Sequence, residues 1–133
     1  MSRPTRTAPV TVEVEADPAA VIAVVADPAR IPQWAPGFAD SVHAEDDGGW
    51  SATKDGRRFS LRVAVDRAAG TVDILRVVAP GIEGGAHLDV TPRRAGGSVV
   101  AMTVPVAPDA DPAVAAATVR AELRALATVL ASG

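Results

Sequence analysis

Hydrophobic and polar positions alternate strictly from Val10 to Ala16, with Val10, Val12 and Val14 in one phase and Thr11, Glu13 and Glu15 in the other, which predicts a half-buried strand. Asp17-Pro18-Ala19 follows. Aspartate before a proline is a helix start, because the carboxylate can accept orphan N–H groups and proline has none to leave unpaired. A short helix to about Val25 is expected. The same tripeptide recurs at Asp27-Pro28-Ala29 and Asp111-Pro112-Ala113, marking two further helix starts. The second helix must be brief, since Pro32, Pro36 and Gly37 interrupt it.

From Phe38 to Val106 the apolar runs are short and separated by turn clusters at 46–49, 54–56, 67–70 and 93–97, the pattern of an antiparallel meander. Strands are predicted near 39–46, 49–54, 58–67, 71–78, 85–93 and 97–106, with a looser Pro/Gly segment over 79–85. The last stretch, Asp111 to Leu130, carries Val119, Leu123, Leu126 and Leu130 at spacings of four, three and four, with Arg120, Glu122 and Arg124 read as turned aside. This long helix needs a sheet to cover its stripe. One strand, two short helices, six strands and a terminal helix pack most simply as an α+β domain, a seven-stranded antiparallel sheet curled around the helix.

These elements carry a resemblance. The runs Glu15 to Val21, Ala26 to Gly37 and Asp46 to Trp50, the turn Pro92 to Ser98 and the helix Glu122 to Leu126 resemble helix-grip proteins of the START-related SRPBCC superfamily over residues 9 to 131. That superfamily includes lipid carriers, hormone receptors, polyketide cyclase/dehydratases, oxygenase domains and co-chaperone modules. The resemblance implies an apolar cavity between sheet and terminal helix and leaves the activity open. Residues 1–8 are expected as an extended or disordered tail, and 9–133 as the single helix-grip domain.

The composition is that of a globular chain of 133 residues, 48% hydrophobic and 22% charged, with net charge -3. Its scattered basic residues argue against nucleic acid as a partner. No apolar run is long enough for membrane insertion. The sequence has no cysteine, which removes thiolate chemistry and suggests a reducing, cytoplasmic setting. Homodimerisation is left open. Interior faces built from Val and Ala, with aromatics at only 3%, suggest unfilled space.

Strand phase selects the candidate ligand-binding residues. Phe59, Leu61, Val63 and Val65 share the inward phase of one strand, and Val72, Ile74, Arg76 and Val78 that of the next. Arg76 is thus the one charge that alternation commits to the interior, where a guanidinium wants an internal carboxylate or an anionic ligand group. Trp34 stands where the resemblance places a tryptophan of the second short helix. Trp50, Phe59, Leu61, Ile74, Met102 and Leu123 complete the expected pocket.

Catalytic chemistry is thinner. His43 and His87 fall out of phase with their apolar neighbours and read as outward and solvated, so no metal site is expected. No serine sits in a nucleophile elbow. The glycines at 81, 84 and 85 precede no helix, so they read as a cavity-rim loop rather than a phosphate cradle. No catalytic residue and no cofactor can be assigned. The sequence supports binding or transport of a small hydrophobic or aromatic molecule. The alternatives are a cofactor-independent cyclase/dehydratase using the same cavity, or an interaction module.

Overall fold

The computed structural model describes residues 5–79 and 82–132. Strand β1 (Thr5–Arg6) opens the chain, followed by β2 (Val10–Val14), helix α1 (Pro18–Val25), a 3-10 turn (Pro28–Arg30) and helix α2 (Ile31–Trp34). The meander runs β3 (Ser41–Ala44), β4 (Trp50–Lys54), β5 (Arg57–Asp66), β6 (Thr71–Ala79), β7 (Ile82–Pro92) and β8 (Ser98–Thr103). Strand β9 (Pro105–Val106) and helix α3 (Pro112–Ser132) end it. Strands β2 to β8 form a seven-stranded antiparallel sheet in the order β2-β8-β7-β6-β5-β4-β3, and β1 pairs separately with β9. This is the helix-grip architecture. Part of the expected N-terminal tail therefore contributes a strand.

Helix α3 packs on β2 and β8 and against α1 and α2. Its Val119, Leu123 and Leu126 are buried, and Leu130 is half-buried against the same core. The inner sheet face meets them with Val14, Val72, Ile74, Leu88, Val90, Val100 and Met102. Burying residues of this size contributes on the order of 1.5 to 3 kcal/mol each.

Several sequence expectations are corrected. Asp27 accepts the Ala29 N–H at 3.1 Å and Asp111 the Ala113 N–H at 2.9 Å, but the Asp17 side chain makes no capping bond. Asp17 is exposed, and Pro18 alone reduces the orphan donors there. The looser segment over 79–85 is largely strand, since β7 begins at Ile82; Pro80 and Gly81 lie outside the described residues. Glu122, expected to turn aside, is buried.

Candidate functional site

A cavity of about 340 Å³ opens between α3, α2 and the sheet. Ile31, Trp34 and Ala35 wall it on the α2 side, with Gly37 and Phe38 from the loop that follows. The sheet contributes Ile74 and Arg76 of β6 and Gly84 to Ala86 of β7. Met102 of β8, Val104, Pro105 of β9 and, from α3, Thr118 and Glu122 close the ring. The volume lies at the small end of ligand pockets, and so do the few polar groups in a mostly apolar wall.

Two consecutive glycines shape it for different reasons. Register places Gly84 opposite Arg76, and a Cβ built on Gly84 meets nothing within 4 Å, so this glycine leaves the cavity open. A Cβ on Gly85 would fall 1.8 Å from the Ile74 carbonyl oxygen, so here the strands approach too closely for any side chain.

Arg76 lies opposite Leu61 on β5, which fixes its inward phase. Its guanidinium carbon sits 4.5 Å from the Phe59 ring centroid and 5.2 Å from that of Phe38. The two rings meet edge to face at 88°, with centroids 5.7 Å apart. The chain has two phenylalanines in all, and both hold this one cation. Among the described residues no ion pair or hydrogen bond engages Arg76, and its Nε is buried without a partner. Aromatic faces orient the charge without neutralising it, so an acceptor supplied by a ligand would complete it.

Glu122 is the second charged group of the wall. It is 8% exposed, and burial alone pushes its carboxyl up to about 7. Thr118, one turn earlier, spends its hydroxyl on the Val114 carbonyl at 3.2 Å. At Gly37 a built Cβ would lie 3.8 Å from the Glu122 Oε2, so the missing side chain there keeps space beside the carboxyl. The Gly37–Phe38 loop is pinned by Lys54, whose Nζ donates to the Pro36 carbonyl at 3.0 Å and to Asp40 at 3.2 Å. Asp40 also accepts the Asp55 N–H, and these two bonds hold its carboxyl below the usual range.

Of the residues expected to bind ligand, Arg76, Trp34, Ile74 and Met102 line this cavity. Leu123 does not: it is 1% exposed and packed in the core behind the wall. Phe59 acts from outside the lining, through Arg76. Trp50, Phe59 and Leu61 border instead an open concavity at the β3–β5 end, beside the Arg58 pair with Glu45. Glu122 and Phe38 were not anticipated. Trp34 is fully buried, and its indole N–H has no partner among the described residues.

The histidines lie elsewhere. His43 is exposed beside Ser41, at 3.3 Å. His87 faces outward but is clamped rather than freely solvated, with Nδ1 2.7 Å from Asp73 and Nε2 3.3 Å from Asp89. These carboxylates flank opposite ring nitrogens, and no cluster able to hold a metal occurs among the described residues. No described helix is long and apolar enough to cross a membrane.

Comparison with known families agrees with this geometry. The model of the family described as polyketide cyclase / dehydrase and lipid transport matches residues 5–132. The chain belongs to that family. Among solved structures, a START superfamily protein from Mycobacterium smegmatis is similar, with TM-score 0.70 and 17% identity over 96% of this chain and 99% of that one. An aromatase/cyclase from a Streptomyces species aligns with TM-score 0.63 and 17% identity, over 96% of this chain and 94% of that one. The di-domain ARO/CYC protein BexL aligns at 0.66 and 23% identity, over 93% of this chain and 45% of its own. A search of curated protein sequences found no match. At such identities the family member shares a fold with these structures, and its chemistry has to be argued from its own cavity.

Proposed function

We propose that this family member binds a small apolar or aromatic molecule in the cavity, with an anionic or strongly polarised oxygen of the ligand directed to Arg76. The observation that supports it is an arginine held by two phenylalanine rings, in a cavity wall, with no carboxylate partner among the described residues. A half-buried guanidinium whose Nε is shielded from water and unpartnered is costly, and a ligand oxygen offsets that cost while the apolar wall covers the remainder of the molecule. Titration with naphthoate, followed by tryptophan fluorescence, tests it. Arg76→Met should weaken binding by about 1.5 to 3 kcal/mol, the range of a charge-assisted hydrogen bond. Arg62→Ala, on the exposed outer face, should leave binding nearly unchanged. Equal losses in both variants would reduce the effect to general charge and remove the role of Arg76.

Glu122 favours a second reading, a cyclase or dehydratase. A carboxyl group that titrates near neutrality suits general acid–base work. Its carboxylate would take a proton from the carbon beside a ketone. The C–H electron pair would pass to the carbonyl oxygen, stabilised at Arg76; on its return it would form the carbon–carbon double bond as the bond from the β-carbon to its hydroxyl breaks, and the leaving oxygen would take the proton back from Glu122 and depart as water. No oxidant or cofactor enters that balance. Turnover of a β-hydroxy ketone by the wild type, lost in Glu122→Gln while affinity survives, would raise this reading above carriage. Absence of turnover in the wild type would set it aside.

A further inference from the structure

Arg76 and Glu122 are the only charged side chains among the described residues that line the cavity, and no ion pair joins them. One stands on β6 and the other on α3, so an occupant between sheet and helix meets both. Among the described residues, every element around Glu122 is otherwise neutral on its inner side. The α2 side presents Trp34 and Gly37, β7 presents Gly84 to Ala86, and β8 and its continuation present Met102, Val104 and Pro105. Helix α1 carries no charged residue, and β2 turns Val10, Val12 and Val14 inward while Glu13 is exposed. On α3 itself Arg120 and Arg124 are exposed, and His87 lies on the opposite face of the sheet.

The charge arithmetic follows. With Glu122 ionised, the empty cavity holds one positive and one negative group. An anion entering then adds a second negative charge against a single guanidinium, in a mostly apolar space that screens it only weakly. A proton on the carboxyl removes the excess. We propose that the cavity takes up an aromatic or apolar acid as its anion together with one proton, the anion held at Arg76 and the proton on Glu122. This rests on the reading of Arg76 as the ligand's anchor. It makes the cavity selective for acids on the acid side of neutrality and discharges them on the alkaline side. Burial already brings the carboxyl to half-protonation at about 7, so little further stabilisation of the proton is required when the anion arrives.

Isothermal calorimetry with naphthalenesulfonate, which stays an anion throughout, tests the proposal, with naphthalenemethanol as the neutral probe. In the wild type the sulfonate should bind about tenfold more weakly at about pH 8.5 than at about pH 6. Near neutrality the heats in phosphate and Tris should differ by the uptake of a fraction of a proton per ligand. The neutral probe should show neither effect. In Glu122→Gln, neutral and nearly isosteric, sulfonate affinity should stay at its acid-side value across the range. Arg76-dependent sulfonate binding with no pH slope would overturn the proton uptake alone. So would a slope unchanged in Glu122→Gln, or one shared by the neutral probe. Binding of neither probe at any pH would overturn the cavity reading, and this inference with it.

Discussion

Glu122 is the residue whose environment departs furthest from its ordinary one. Its folded carboxyl sits at about 7 against 4.5, so between these values the folded state holds a proton that the unfolded chain has released. Stability from this group is therefore fully present on the acid side, declines as pH rises through that window, and levels above it. The span is at most about 3 kcal/mol, and about 1 to 2 once water at the cavity mouth screens the charge. Urea unfolding at about pH 5 and about pH 8 should show Glu122→Gln more stable than the wild type at the higher pH and flatter between the two. A wild-type stability that rises across the same interval would contradict the burial of this carboxyl. The residue was legible in principle, since it lies three positions after Val119 and four before Leu126, within the apolar stripe. Its charge concealed it, because a glutamate on a helix is usually solvated. The inward phase of Arg76 was legible because alternation along a strand turns each residue to one side or the other.

The elements show the same division between pattern and context. The three Asp-Pro-Ala tripeptides are identical, and all three precede helical turns, but only Asp27 and Asp111 bring the carboxylate onto an N–H. Asp111→Ala should accordingly cost about 1 kcal/mol in a thermal or urea melt, whereas Asp17→Ala should cost a few tenths at most. Equal losses would mean that the caps act through the unfolded chain. Leu123, placed in the core of α3 rather than at the cavity wall, should cost about 2 to 5 kcal/mol on truncation to alanine, with small-ligand affinity little changed. The sequence misread the start of β7 because its glycines looked like a loop. Gly85 is instead demanded by the close approach of Ile74, and Gly84 opens space in front of Arg76; such reasons appear only when neighbouring strands are in register.

At the scale of the molecule, the grip of sheet on helix was readable from the order of elements, while the cavity's exact wall was not. Trp50 and Leu61 share the inner phase with Arg76 but border a separate concavity nearer the β3 edge, a separation that periodicity cannot express. Filling the cavity beside Arg76 should therefore act selectively. Gly84→Leu projects a side chain into open space and should abolish naphthoate binding without lowering the melting temperature, because it covers apolar wall at no cost in displaced atoms. Retained affinity in that variant would place the ligand elsewhere. The most direct measurement locates the ligand itself, by two-dimensional nitrogen–proton spectra during titration with naphthalenesulfonate. Occupation of the cavity predicts that the Arg76 Nε–H and Trp34 indole N–H signals and the backbone amides of Gly37 and Gly84 move together, along one saturating curve. Shifts confined to the outer face, around His87 and Arg62, with those four signals unmoved, would contradict a ligand site between sheet and helix.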